Sequence, residues 1–215
     1  MRYTSLKKKL LPDYSIYAVI DVSACGKRRI ERIVKDCLAA KVEIIQLRDK
    51  SSDSAGFLRI ALILKRIIGK KALFIINDRA DIAELCASDG LHSGQSDIPI
   101  DAARRLLGQG KIIGKSCHNL KQALSAYREG ADYIGFGPIF KTPTKPEYKA
   151  AGIKLLTRVC SLLTIPVVAI GGIDESNANL LKKTRVKTIA VVRAICKTQN
   201  ITDAVNRLRK EAFAQ

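Results

Sequence analysis

Eight short apolar runs rich in β-branched residues recur along the chain, at 16–20, 42–47, 72–76, 90–92, 111–114, 133–135, 167–170 and 188–192. Their starts are about 25 residues apart on average. Between them lie stretches whose apolar residues recur at three and four, as in Ile30, Ile33, Val34, Cys37 and Leu38. Similar helical patterns cover 57–67, 120–128, 155–163 and 204–212. Continuous rather than alternating apolar runs describe strands buried on both faces, the habit of parallel sheets covered by helices. Eight such units predict an α/β fold closed into a single (β/α)8 TIM barrel, and 215 residues lies within that fold's size range. The rival, an open doubly wound sheet, usually stops at about five or six strands. No linker rich in Gly, Ser or Pro divides the chain. Residues 1–215 therefore read as one domain, with 1–14 an N-terminal extension or helix outside the barrel.

Composition narrows the function classes. Apolar residues make up 47 % and charged residues 27 %, enough apolar surface to offset chain ordering, which excludes a disordered chain. No uncharged apolar run reaches the ~18 residues that a membrane helix needs. The start carries Lys7, Lys8 and Lys9 but soon reaches Pro12 and Asp13, too early for the apolar stretch of a secretory peptide. A cytoplasmic protein is expected. Cys25, Cys37, Cys86, Cys117, Cys160 and Cys196 lie far apart with no C-x-x-C pair. They read as free thiols in a reducing compartment rather than zinc ligands or disulfides. Lys and Arg number 38 against 20 Asp and Glu, a formal net charge of +18. These charges are spread through the helix-like segments, aromatics are only 5 %, and there is no Trp to stack on bases. The charge reads as solvated surface, with no nucleic-acid partner and no membrane partner expected.

In a parallel barrel the site forms where strands end. After the second run comes Gln46-Leu47-Arg48-Asp49-Lys50; alternation puts Gln46, Arg48 and Lys50 on one face, suited to a polyanion or simply to a charged loop. Asp78 follows the third run and Asp97 the fourth. The pair suits a divalent cation, which takes oxygen ligands, or two helix caps. Asp101 is the better cap for the helix after Pro99, and Asn119 for the helix at 120–128. His92 reads as loop packing. Cys117 and His118 lack a third group for covalent catalysis. The long loop at 135–146 holds hydroxyls and two lysines, as lids and clamps do. Gly171-Gly172 and Val192-Arg193-Ala194 follow the seventh and eighth runs, the usual phosphate site of this barrel.

Gln46-Leu47-Arg48-Asp49-Lys50, Ile75-Ile76-Asn77-Asp78-Arg79, the stretch at 89–97, Gly135-Phe136-Gly137-Pro138-Ile139-Phe140, Thr142-Pro143-Thr144-Lys145-Pro146 and the stretch at 165–173 closely resemble the thiamine phosphate synthase family. The motifs keep the family order, and the resemblance runs from about Tyr17 to Ile195. It implies a (β/α)8 barrel joining hydroxymethylpyrimidine diphosphate to thiazole phosphate, with these small molecules and a second copy of the chain as expected partners. By the same resemblance, Gln46 contacts the pyrimidine. Arg48, Lys50, Asn77, Ser116 and Lys145 hold the diphosphate, with Arg48, Lys50, Ser116 and Lys145 as the catalytic set. Asp78 and Asp97 hold Mg2+, and Thr142, Thr144, Gly172, Val192 and Arg193 take the thiazole phosphate. The chain departs from the family at Arg193, where a small hydroxyl residue is usual, at Ser93, at Lys115 and at 183–186. A related barrel isomerase, thiazole tautomerase, is the nearest alternative, with His118 as its proton carrier. A nucleic-acid binder is the alternative from another class.

Overall fold

The computed structural model describes residues 11–142 and 149–214. Within them, β1 (Ser15–Asp21) leads into α1 (Val22–Cys25) and α2 (Ile30–Ala39), then β2 (Ile44–Arg48), α3 (Ser54–Ile68), β3 (Leu73–Asn77), α4 (Ala80–Leu85) and β4 (Gly90–Ser93). The second half runs α5 (Ile100–Leu107), β5 (Ile112–Cys117), α6 (Leu120–Arg128), β6 (Tyr133–Phe136), α7 (Gly152–Leu162) and β7 (Val167–Ile170). A 3-10 turn (Ala178–Lys183), β8 (Thr188–Val191), α8 (Arg193–Cys196) and α9 (Ile201–Phe213) complete it. The strands pair in sequence order, all parallel, and β8 closes onto β1. The architecture is the TIM barrel that the eight runs imply.

Two apolar cores follow from strand alternation. Inward positions of the barrel pack Val19, Ile44, Ile75, Ile112, Val168 and Ala190 into one cluster, with Leu11 buried against them. Outward positions such as Ile45, Leu47, Phe74 and Ile76 meet Ile33, Phe57, Leu64 and other helix residues in a larger one. Burying each such side chain contributes about 1.5–3 kcal/mol. Both faces of every strand are thus covered, which is why the runs are continuous rather than alternating.

Local signals set the helix starts. Asp53, Asn119 and Asn200 cap α3, α6 and α9 by accepting the backbone N–H groups of Gly56 (2.7 Å), Gln122 (2.9 Å) and Asp203 (3.1 Å). Asp101 is not a cap. Pro99 stands at that position, and Asp101 lies in the first turn of α5, 2.7 Å from Arg105 one turn on. Arg104 of the same helix pairs at 2.5 Å with Asp132, whose side chain is largely covered and whose Oδ2 also accepts the Ile113 N–H at 2.8 Å. That carboxylate ties α5 to β5 and to the start of β6.

Candidate active site

Strand alternation gathers Tyr17, Val19 and Asp21 of β1, Gln46 and Arg48 of β2, Asn77, His92 and Ser116 around one cavity of about 240 Å3 at the carboxyl ends of the strands. Loops after β6, β7 and β8 add Lys141, Thr142, Gly172, Val192 and Arg193. Eight of the residues expected at a site therefore share a wall: Gln46, Arg48, Asn77, Ser116, Thr142, Gly172, Val192 and Arg193. Thr144 and Lys145 lie outside the described residues.

Lys50, Asp78 and Asp97 form a neighbouring cluster rather than part of that wall. Strand β2 ends at Arg48, and Asp49 then folds back to accept the N–H groups of Ser51 (2.9 Å) and Ser52 (3.0 Å). Alternation lapses there, and Lys50 pairs with Asp78 instead of continuing the inward face. Asp78 follows the cavity residue Asn77 and turns the chain with φ of 61°, while its N–H donates to the His92 carbonyl at 2.8 Å. Asp97 accepts the Gly94 N–H at 2.7 Å. Burial first, and then the Asp78 carboxylate beside it, raise the Asp97 carboxyl above the usual carboxylate range; Lys50 opposes the shift. Two carboxylates crowded together in this way fit a hard cation. Among the described residues no cluster of three or more His, Cys, Asp or Glu could hold a metal. Two protein carboxylates leave room for the water and phosphate oxygens that Mg2+ keeps.

Cations line the other side. Arg48 pairs with Asp21, a carboxylate that also caps α1 by accepting the Ala24 N–H at 2.9 Å. Arg48 is thus held by its own counter-ion at the cavity wall, a guanidinium presented in one orientation. Arg193 opens α8 and lines the cavity together with Lys141. Arg193 therefore lines the same space as Gly172.

The floor is a continuous hydrogen-bonded chain inside the barrel. Gln46 Nε2 donates to the Tyr17 hydroxyl at 2.7 Å, and that hydroxyl lies 2.9 Å from the Tyr133 hydroxyl. The Tyr133 hydroxyl is 2.9 Å from His92 Nδ1, and His92 Nε2 is 2.9 Å from Ser116 Oγ. His92 is therefore not loop packing but a buried member of β4. Burial holds the Tyr17 and Tyr133 hydroxyls well above their usual values, so both stay protonated. Sequence reasoning missed Tyr17, Asp21, Tyr133 and Lys141. Parity was the available signal for the first three: Tyr17 and Asp21 share the inward register of Val19, and Tyr133 sits opposite Gly114.

Gly171 and Gly172 adopt φ of 95° and 71°. A Cβ at Gly172 would meet the carbonyl oxygens of Phe140 and Lys141 at 2.7 Å. The Phe140 N–H donates to the Gly171 carbonyl at 3.0 Å. The pair lets the β6 loop lie directly on the β7 loop, which brings Thr142 and Gly172 to one wall. His118 also reaches the cavity, with Nδ1 2.6 Å from the Gly137 carbonyl.

Residues 16–195 match the thiamine monophosphate synthase family. The thiamine-phosphate synthase of Ruminiclostridium cellulolyticum is 39 % identical over 204 residues, 94 % of this chain and 96 % of that one. That of Clostridium acetobutylicum is 42 % identical over 192 residues, 89 % and 91 % of the two chains. Among solved structures, the thiamine phosphate pyrophosphorylase of Pyrococcus furiosus superposes with a TM-score of 0.85 at 32 % identity, covering 97 % of this chain and 98 % of that one.

Proposed function

The chain belongs to the thiamine monophosphate synthase family, and on that premise we propose that its barrel joins 4-amino-2-methyl-5-hydroxymethylpyrimidine diphosphate to 4-methyl-5-(2-hydroxyethyl)thiazole phosphate, giving thiamine phosphate and pyrophosphate. The observation that carries the reading is the one cavity lined by Gln46, Arg48, Asn77 and Ser116 together with Gly172 and Arg193. Two anionic substrates need anion-holding groups around one space, and the lining offers Arg48 from the end of β2 and Arg193 from the start of α8.

The bond that breaks is the C–O bond between the pyrimidine methylene and the diphosphate, with the electron pair leaving on the diphosphate oxygen. The electron-rich aminopyrimidine spreads the positive charge that develops on the methylene. The thiazole nitrogen then donates its lone pair to that carbon and forms the C–N bond. The work of the protein is to hold the leaving group and meet its growing charge with groups already in place. Arg48, Asn77 and Ser116 face the diphosphate, with Lys50 and Lys145 as further cations. Gly172, Thr142, Thr144, Val192 and Arg193 seat the thiazole phosphate, Arg193 by a guanidinium fork where the family uses a small hydroxyl. Asp78 and Asp97 would hold Mg2+, which neutralises diphosphate charge when bound. No general base is required by this scheme, because the thiazole nitrogen attacks through its own lone pair. Holding both partners in one pocket removes about 7–11 kcal/mol of orientational cost at best.

Coupling of the two substrates by purified protein should stop in EDTA and resume with added Mg2+. Full activity in chelator contradicts the role given to Asp78 and Asp97.

A further inference from the structure

Alternation along β5 serves two spaces. Ser116 lines the barrel cavity, while Lys115 before it leaves the outer face of the strand. There it lines a second cleft, of about 340 Å3, between β5 and helix α6. The two linings share no residue. Lys115 is only 6 % exposed, yet its ammonium makes no hydrogen bond and no ion pair with any described residue. A covered ammonium without a partner costs stability, so packing alone does not account for it. Ser93, its register partner on β4, is wholly buried, and its Oγ has no hydrogen-bond partner among the described residues either. The fold thus leaves two neighbouring polar side chains unsatisfied on one face of the sheet.

The rest of the lining is rich in donors. Asn119 Oδ1 accepts the Gln122 N–H at 2.9 Å, and Gln122 Oε1 accepts the His118 N–H at 2.7 Å. A backbone N–H can only donate, so both amides turn their oxygens to the chain and each retains an NH2 group. Lys121 adds a second ammonium from the first turn of α6, a helix end whose dipole favours an anion. The one acid of the lining, Glu129, lies eight residues on, roughly 12 Å along the helix. There it accepts the Ser125 hydroxyl at 2.7 Å. No arginine lines the cleft, so it lacks the planar fork that reads a carboxylate. Lysines act as point charges, which suits the tetrahedral oxygens of phosphate.

We propose that this cleft binds a phosphoryl group, as the free ion or as a small phosphate ester, with Lys115 as its buried anchor and Lys121, Asn119 and Gln122 around it. The site is separate from the barrel cavity and does not rest on the coupling reading. It lies directly behind that cavity: Gln95 lines the cleft and donates through Nε2 to the Ser116 carbonyl at 2.5 Å.

The test follows assigned backbone amides by 15N–1H NMR while inorganic phosphate replaces chloride at constant ionic strength. The expected result is a saturable shift of the amides at 119–122 in the wild-type chain. Lys115→Met keeps a long apolar stem and removes the charge, and should weaken the phosphate Kd read at 119–122 tenfold or more. Lys121→Ala changes an exposed residue, cannot disturb the core, and should weaken it threefold or more. In both variants the amides of Gly172 and Arg193, in the barrel cavity, should respond to phosphate as they do in the wild type. If Lys115→Met does not fold, Lys121→Ala decides the matter alone. A parallel titration with glycerol phosphate separates the two sources. Tighter binding of the ester assigns the site to a phosphorylated metabolite, and tighter binding of the ion assigns it to inorganic phosphate. The absence of a saturable shift at 119–122 in the wild-type chain overturns the proposal, as does an unchanged Kd in either folded lysine variant.

Discussion

Gly114 and Gly135 matter for the side chains they lack. Each sits beside a member of the hydrogen-bonded floor, and only a hydrogen atom there lets Tyr133 and His92 lie flat across the barrel. Gly114→Ala should therefore destabilise the fold by about 1–3 kcal/mol, the usual cost of overpacking a filled interior. It should also depress turnover at temperatures where the variant is folded. Denaturant melts and steady-state rates measure the two effects, and an alanine tolerated without change in either would mean that the tyrosine is not seated there. The residues of this floor were partly legible in advance. Gln46 and Arg48 could be read from alternation because they are still within β2. Lys50 was placed with them by the same rule, but the rule ends with the strand, and the turn made by Asp49 sends Lys50 to Asp78. Tyr17 and Tyr133 passed as apolar strand residues because a phenol fits a hydrophobic run. What the one-dimensional pattern could not show was that five strands bring polar atoms into a chain of contacts each under 3 Å.

At the scale of elements, the strands were the most legible feature because each is buried on both faces and so carries an uninterrupted apolar signature. Even the brief run at 90–92 is a strand, Gly90–Ser93, pairing with β3 and β5. The shorter helices were not. α1 and α8 have four residues each, too few to display a periodicity, and the 3-10 turn at 178–183 follows a different repeat. The start of α5 was misplaced because an acidic residue in a first turn and a cap look alike in sequence. Its neighbour Arg104 carries more weight, since the Arg104–Asp132 pair is largely withdrawn from solvent, with side chains 12 % and 4 % exposed, and bridges α5, β5 and β6. Asp132→Ala leaves a guanidinium without its partner in the interior. We expect a loss of about 3–5 kcal/mol in urea unfolding at neutral pH. A loss under 1 kcal/mol would show that water already satisfies Arg104.

For the molecule as a whole, closure of the barrel seals its thiols. Burial pushes Cys37 and Cys117 up to about 12 and Cys160 up to about 11. Cys196 is shifted the other way by its hydrogen bond with Cys25, yet it is enclosed with only 1 % of its surface exposed. Iodoacetamide at pH 8 should thus label native protein slowly and incompletely, and all six cysteines together once the fold is opened by denaturant. Prompt labelling of the native chain would mean that the barrel is looser than described. The +18 charge has no structural account in the site, whose own cations are few and partly paired. The proposed function rests instead on the residues that line one cavity at the carboxyl end of the barrel. The most direct measurement is a 31P NMR time course with purified protein, Mg2+, the pyrimidine diphosphate and the thiazole phosphate. The account predicts that pyrophosphate and thiamine phosphate appear together in equal amounts, with the diphosphate consumed at the same rate. No thiamine phosphate, or diphosphate cleaved at the same rate without the thiazole present, would contradict it.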